Sequence, residues 1–259
     1  MPPRSDPAVS VACTDLSVAW TTPSRTRVVE GIDLRLGRGG VVAVMGPTGA
    51  GKSSLLALLS GRSEHGLAVD GGTAVVEGID LRRPGQSRRM LLAYVGYLAQ
   101  GAGARLDARL TVGDIIGEPI TSRDRKVNAR ALAVRTAALL DEVELPLGAA
   151  VKYPYELSAG MRQRVALARA LVLQPRILVA DDPLANLDIE VQHVVRDAIA
   201  RRRDEYGMAT LIATNETALP RRLHAHRIVL HQGHVVAQDG ADGLIWTPGA
   251  QADPRLVSS

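Results

Sequence analysis

The stretch 41-VVAVMGPTGAGKSS-54 begins as a short apolar run and ends as a glycine-rich turn. The apolar run is typical of a parallel strand that is buried on both faces. The turn fits the pattern Gly-x-x-x-x-Gly-Lys-Ser/Thr, in which backbone N–H groups surround phosphate oxygens. Lys52 would place its charge on the β- and γ-phosphates, and Ser53 would bind Mg²⁺ through its hydroxyl. A helix that begins at Lys52 would direct the positive end of its dipole toward the same anion.

We therefore predict a nucleoside triphosphate site here rather than an ordinary glycine-rich turn. The residues of this predicted site are Gly46, Pro47, Thr48, Gly49, Ala50, Gly51, Lys52, Ser53 and Ser54.

Three later apolar runs also end in polar residues, namely 94-YVGYLAQ-100, 177-ILVA-180 and 208-MATLIAT-214. In an open α/β sheet, ligands bind just beyond the carboxyl ends of the parallel strands. We therefore expect Gln100, the acids Asp181 and Asp182, and Asn215 to meet the glycine-rich turn at one site.

The rest of the pattern predicts an α/β fold with two additions to the parallel sheet. Residues 9–36 alternate apolar and polar positions over two strands, as in an antiparallel sheet with one covered face. Residues 101–170 are rich in helix formers and predict a helical lobe inserted in the sheet domain. Helices are expected within it over 124–142 and over 158–173, the second with Ser158 as its N-cap.

The C-terminal part predicts a β-hairpin over 226–240 that turns at Gln232 and Gly233. We expect one domain over residues 1–240 and a poorly ordered tail over residues 241–259.

Composition limits the function classes. The chain has 259 residues, of which 46% are hydrophobic, and no apolar run approaches the 18 residues of a membrane span. The starting segment MPPRSDPAVS lacks the charged and apolar regions of a signal peptide. The single Cys13 excludes an internal disulfide and a cysteine-based metal site, which fits a cytosolic setting. The net charge is +4, and the dense basic run 201–203 predicts a solvated helix face rather than a nucleic-acid site.

The phosphate motif alone leaves a GTPase switch, a kinase and a transport ATPase open. The stretch 153-YPYELSAGMRQRVALARAL-171 separates them, because its LSAGM resembles the LSGGQ signature of ATP-binding cassette (ABC) proteins. This signature lies just before the acid-ending strand, as it does in that family. The resemblance covers nearly the whole chain, and it implies an antiparallel β subdomain and a helical lobe attached to a P-loop nucleotide-triphosphatase core.

The resemblance also implies a role for each motif residue. Trp20 would stack on adenine, although ordinary sheet packing is the alternative. Gln100 resembles the Q-loop glutamine, which binds Mg²⁺, with a solvated strand end as the alternative. Asp181 resembles the Mg²⁺-linked Walker B acid, and Asp188 resembles the D-loop acid.

In this family two subunits sandwich two ATP molecules head to tail. The signature segment of one subunit then contacts the γ-phosphate that the partner's P-loop holds. The residues of this segment are Ser158, Ala159, Gly160 and Met161. A residue such as Ser158 is suited to both tasks, since a helix N-cap exposes N–H groups that bind phosphate.

Three positions depart from the family pattern. Met161 replaces the signature glutamine, as in the peptide and nickel importer branch, which 111-TVGDIIGEPI-120 also resembles. Asp182 occupies the place of the glutamate that polarises the attacking water, and it is one methylene shorter. Asn215 occupies the place of the switch histidine and cannot become cationic. Both changes affect the γ-phosphate, so they predict that this subunit binds Mg-ATP and hydrolyses it slowly.

The resemblance therefore implies the ATPase subunit of a membrane importer, bound peripherally at the cytoplasmic face of the cell membrane. A groove near residues 100–119 would receive a helix from separate permease subunits, and an extracytoplasmic binding protein would select the cargo. The slow site predicts a heterodimer with a second, competent ATPase; a homodimer in which Asp182 suffices is the alternative. A cassette protein of DNA repair or translation and an ATP-held dimer clamp also stay open, and no nucleic-acid partner is expected.

Overall fold

The computed structural model describes residues 8–21, 25–62, 66–240 and 243–246. Two sheets organise this part of the chain. The first is an antiparallel sheet with the strand order β2-β1-β4-β5. Its strands are β1 (Val9–Trp20), β2 (Thr26–Gly37), β4 (Leu67–Val76) and β5 (Ile79–Asp80). The first two confirm the prediction for residues 9–36, whereas the sequence pattern did not predict β4 and β5.

The second sheet carries the predicted nucleotide site. Its strand order is β11-β10-β9-β3-β8-β7-β6, and β9, β3, β8, β7 and β6 run parallel to their neighbours in that order. The strands are β3 (Val41–Met45), β6 (Val95–Leu98), β7 (Ile177–Asp181), β8 (Ala209–Ala213), β9 (His226–His231), β10 (His234–Gly240) and β11 (Gly243–Trp246). The parallel order confirms the prediction that β3, β6, β7 and β8 end at one edge.

The C-terminal segment contains the predicted hairpin and one strand that was not predicted. The hairpin over 226–240 is present as β9 and β10, with Gln232 at its turn in the left-handed region. The chain then continues into β11, which pairs antiparallel with β10. The prediction of a poorly ordered tail is therefore wrong for residues 243–246, since the free edge of β10 provides backbone hydrogen-bond partners. Residues 241–242 and 247–259 lie outside the described residues.

The described residues form seven α-helices, and the third, fourth and fifth of them build the inserted lobe. They are α1 (Lys52–Leu59), α2 (Arg88–Tyr94), α3 (Val112–Thr121), α4 (Ala129–Glu142), α5 (Ala159–Leu171), α6 (Ile189–Tyr206) and α7 (Ala218–Arg222). Helix α5 begins as predicted, because the Ser158 hydroxyl accepts a hydrogen bond of 3.2 Å from the N–H of Met161. Helix α4 begins later than predicted, at the N-cap Asn128. Among the described residues, no helix is long and apolar enough to cross a membrane.

Two apolar cores lie on opposite sides of the parallel sheet. One joins α1 and the antiparallel sheet to the faces of β3 and β7 that carry Val44 and Val179. The other joins α3, α4 and α5 to the opposite faces, which carry Ala43 and Ala180. The helical lobe is therefore packed directly on the strands whose ends form the predicted site.

The basic run over residues 201–203 corrects one prediction. Arg201 is exposed on α6, but Arg202 is only 8% exposed. The Arg202 guanidinium donates to both carboxylate oxygens of Glu142 at 2.5 and 2.6 Å and lies 5.1 Å from the centroid of the Tyr206 ring. The solvated-face prediction is therefore wrong for Arg202, which joins α6 to the lobe helix α4.

Candidate nucleotide-binding site

The glycine-rich turn connects β3 to α1, and two of its glycines are required by close packing. Gly46 has a φ of 135°, and a Cβ there would lie 2.0 Å from the carbonyl oxygen of Leu230. Gly51 has a φ of 100°, and a Cβ there would lie 2.8 Å from the carbonyl oxygen of Val28. Residues that carry a side chain rarely adopt these backbone conformations, and a Cβ has no room at either position. The turn is therefore held as an open backbone loop at the N-terminus of α1.

Lys52 is the first residue of α1 and is 7% exposed. Its Nζ donates to the carbonyl oxygens of Gly46 and Pro47, at 2.6 and 3.0 Å. The ammonium group therefore lies over its own loop, beside the N–H groups that would surround a phosphate. Exchanging these two carbonyls for phosphate oxygens would replace neutral acceptors by charged ones, which form stronger hydrogen bonds.

Asp181 and Ser53, which the sequence predicts to bind Mg²⁺, lie close together in the structure. Asp181 is 3% exposed at the end of β7, and the Ser53 hydroxyl lies close enough to its carboxylate to favour the charged form. Burial raises the pKa of Asp181, and the charge of Asp182 acts in the same direction, whereas the Ser53 hydroxyl and Lys52 lower it. A carboxylate and a hydroxyl are hard oxygen donors of the kind that Mg²⁺ prefers.

These two donors would leave several Mg²⁺ positions to phosphate oxygens and water. Within the described residues, no group of three or more His, Cys, Asp or Glu side chains is placed to hold a metal. This arrangement fits Mg²⁺ that arrives with a nucleotide, because Mg²⁺ is commonly held by one or two carboxylates together with substrate phosphates.

A cleft of about 220 Å³ brings several of the predicted residues together. It lies between the antiparallel sheet, α1 and the strand ends, and Trp20, Ser53, Gln100 and Asp181 all line it. The cleft also contains residues that sequence reasoning missed, notably Tyr97, Arg62 and Arg105. The two arginines carry no motif of their own, and in a chain with 28 arginines their type gave no signal.

Asp182 directly follows the strand end, in a left-handed conformation with a φ of 45°. Its N–H donates to the carbonyl oxygen of Ala213 at 2.9 Å, and its own carbonyl accepts from the N–H of Ala185 at 3.2 Å. A sharp turn therefore fixes the backbone of Asp182 between β7 and β8. Asn215 follows β8 at the same edge and is exposed. The structure thus places Asp182 and Asn215 at the edge of the sheet where the neighbouring strand β3 also ends.

The signature segment lies apart from this cleft. Ser158 and Ala159 are exposed at the N-terminus of α5. Of the described residues that line the cleft, none belongs to residues 158–161. Asp188 is likewise exposed, at the N-terminus of α6. These residues would be available to a nucleotide that another chain holds.

A second cavity of about 420 Å³ adjoins the cleft on the side of the helical lobe. It runs between the turn after Gln100 and helices α3 and α5, in the region predicted as a docking groove. Arg62 and Arg105 line both cavities, and Arg169 and Glu118 lie in the groove as an ion pair of 2.8 Å. Burial lowers the pKa of Arg62, and the positive charges of Arg169 and Arg123 act in the same direction.

Comparisons with known proteins establish the class. The family model described as ABC transporter matches residues 29–185. The chain therefore belongs to the ABC transporter family and is an ATP-binding cassette of that family, as its motifs predicted. Members of this family hydrolyse ATP, and the fold with its antiparallel subdomain and helical lobe is the one expected for them.

Relatives and solved structures agree with this assignment. The oligopeptide transport ATP-binding protein OppF of Salmonella typhimurium is 28% identical over 240 residues, which cover 93% of this chain and 71% of OppF. The oligopeptide transport ATP-binding protein OppD of Mycobacterium tuberculosis is 33% identical over 235 residues, which cover 90% of this chain but 37% of OppD. The dimeric ATP-binding cassette MJ0796, bound to ADP and Pi, matches with a TM-score of 0.78 at 22% identity, over 92% of this chain and 99% of MJ0796.

Proposed function

We propose that this chain binds Mg-ATP in the cleft and energises a membrane importer from the cytoplasmic face. The observation that carries the proposal is the meeting of Trp20, Ser53, Gln100 and Asp181 in one cleft beside the phosphate loop. The names of its relatives OppF and OppD, which specify oligopeptide transport, support peptides as the cargo. An extracytoplasmic binding protein and separate permease subunits would complete such a system.

The cleft suggests how the nucleotide would be held. Trp20 would stack on the adenine, and the N–H groups of the loop and Lys52 would surround the phosphates. Ser53, Asp181 and Gln100 would hold Mg²⁺, which neutralises charge on the β- and γ-phosphates. Asp182 would orient the attacking water, and Asn215 would donate a hydrogen bond to the γ-phosphate.

The same residues support slow turnover at this site. A base must reach within hydrogen-bond distance of the water, and Asp182 is one methylene shorter than glutamate while its backbone is fixed by the turn. The exposed Ser158 and Ala159 would complete a second site on a partner cassette. We therefore propose a heterodimer with one slow and one competent site, and a homodimer in which Asp182 suffices is the alternative.

Charge in the groove supports an acidic docking partner. The lining of the groove contains three basic residues, Arg62, Arg105 and Arg169, and two acidic residues, Glu118 and Asp107. The Asp107 carboxylate is already neutralised by Arg109, which lowers its pKa to about 2, and Glu118 is paired with Arg169. Within the described part of the chain, the buried Nε of Arg62 has no hydrogen-bond partner. We propose that a permease helix presents a carboxylate to these arginines.

The slow-site proposal is tested by restoring the family residues. Asp182→Glu together with Asn215→His should raise the ATPase rate of the assembled transporter about twofold, because it adds a second working site to the competent one that the partner already provides. The same exchanges made one at a time should give smaller gains. An unchanged rate for the double variant would show that this site does not limit turnover.

A clamp that uses ATP to hold a dimer is the second candidate, and Asp182 and Asn215 favour it. It predicts that Mg-ATP drives dimer formation, with no rate gain from the double variant. Co-purification of permease subunits with the chain would favour the transporter over the clamp.

A further inference from the structure

Gln163 is a buried polar side chain in the middle of α5. It is 6% exposed and is surrounded along the helix by the buried residues Val165, Ala166 and Leu167. A buried amide is costly unless it is hydrogen-bonded. The side-chain amide of Gln163 is hydrogen-bonded to backbone groups of two other segments. Its Oε1 accepts from the N–H of Gly103 at 3.1 Å, and its Nε2 donates to the carbonyl oxygen of Pro183 at 3.2 Å.

The first partner belongs to the turn that follows Gln100. Gly103 is buried, and a Cβ there would lie 2.7 Å from the backbone nitrogen of Gln163 and 2.9 Å from the carbonyl carbon of Arg162. The turn is therefore packed directly on the backbone of α5. A displacement of the turn that carries Gln100 would act on the helix at Gln163.

The second partner belongs to the loop that carries the acids of the cleft. Pro183 directly follows Asp182, whose N–H is bonded to Ala213 of β8. Asp181 lines the cleft two residues before Pro183. A change at Asp181 when nucleotide and Mg²⁺ bind would therefore reach the Nε2 atom of Gln163 through a short and constrained segment.

The helix itself leads from Gln163 to the signature segment. Ser158 caps α5 through the N–H of Met161, which lies two residues before Gln163. Because the first turns of α5 are hydrogen-bonded, a shift at Gln163 is carried to the exposed Ser158 and Ala159. Neither of these residues lines the cleft of its own chain.

We propose that Gln163 is a positioning residue that transmits nucleotide occupancy from the cleft to the signature segment. The inference rests on the proposed binding of Mg-ATP in the cleft. It also assigns a role to a site that hydrolyses ATP slowly. ATP that stays bound in this cleft would hold the signature segment in the position in which it contacts the partner's nucleotide.

Hydrogen exchange of the full chain tests the proposal, at a concentration where light scattering shows one chain per particle. In the unmodified chain, Mg-ATP should slow amide exchange at least threefold in residues 46–54, by contact, and in residues 157–165, by transmission. Gln163→Met keeps the length of the side chain but removes both hydrogen bonds. It should keep the protection of 46–54 and lose that of 157–165.

Two further variants sharpen the result. Gln163→Glu keeps an acceptor for Gly103 but cannot donate to Pro183, so it should also lose the protection of 157–165 while exchange in 101–105 stays slow. If the Gln163→Met variant does not fold, the Gln163→Glu variant alone tests the proposal. Gln238→Met, at an exposed position of β10, is the matched control and should behave as the unmodified chain.

The outcomes are distinct. Protection of 157–165 that persists in both Gln163 variants, or that is missing in the unmodified chain while 46–54 is protected, overturns the inference. If Mg-ATP protects neither segment in the unmodified chain, the proposed nucleotide binding itself fails.

Discussion

The buried carboxylate of Asp181 is expected to lower the stability of the folded chain, although the same carboxylate is proposed to bind Mg²⁺. Its carboxylate is buried at the end of β7, and burial raises its pKa. An acid with a raised pKa binds protons more readily in the folded than in the unfolded chain. Its contribution to the free energy of unfolding therefore falls as the pH rises from the unfolded pKa through the folded pKa.

Asp181→Asn should therefore stabilise the nucleotide-free chain at pH 7 while weakening Mg²⁺-dependent ATP binding. Removing the buried charge is expected to raise the melting temperature by about 2–4 °C, the shift that 1 kcal/mol gives in a chain of this size. Calorimetry over a series of pH values from 7 downward measures the gain, which should shrink as the pH falls through the folded pKa of Asp181. A variant less stable than the unmodified chain at pH 7 would contradict this account of Asp181.

Asp182 and Asn215 show how far single residues could be interpreted from the sequence. Their types and places after two strands predicted a weakened γ-phosphate site, and the parallel order of β7 and β8 puts them at one edge. The left-handed turn at Asp182 could not be predicted, because it depends on the hydrogen bond that its N–H donates to Ala213.

At the scale of elements, α6 is attached to the helical lobe through the pair of Arg202 and Glu142. Breaking a buried ion pair leaves an uncompensated charge, which typically costs about 3–5 kcal/mol. Since both side chains retain slight exposure, we expect Arg202→Ala to lower the free energy of unfolding by about 2–3 kcal/mol. Chemical denaturation measures the change.

The neighbouring arginine supplies the control. Arg201 lies on the same helix but is exposed, so Arg201→Ala should change the free energy of unfolding by about 0.5 kcal/mol or less. Equal effects of the two substitutions would show that the Arg202 pair does not join α6 to the lobe.

Elements were predictable where one local signal defined them. β3 and α1 flank a glycine motif, and the N-cap Ser158 marks the start of α5. β4 was missed because its segment 67-LAVDGGTAVV-76 contains two glycines and gains its order by pairing with β1. Arg202 was taken for a solvated residue because its partner Glu142 lies 60 residues away in the chain.

At the scale of the whole molecule, the groove between the lobe and the sheet would connect the cassette to a permease. Arg169 and Glu118 form one ion pair in it, so either substitution to glutamine breaks the same contact. The two substitutions change the charge of the groove in opposite directions. Arg169→Gln should weaken permease association about tenfold, which corresponds to roughly 1.4 kcal/mol of binding free energy. Glu118→Gln should leave the association unchanged or strengthen it.

Retention of permease subunits on the tagged chain, measured over a series of salt concentrations in detergent, distinguishes these results. Weakening by both variants to the same degree would indicate that the ion pair matters for local structure. It would contradict an acidic docking partner.

The most direct test of the slow-site account is a structure of the complex purified from its native membrane and trapped with Mg-ATP. The account predicts this chain opposite a different cassette that carries Glu and His at the positions matching Asp182 and Asn215. Residues 158–160 of this chain would then contact the nucleotide that the partner holds. Two copies of this chain facing each other would contradict the account, and Asp182 would have to act as the working base.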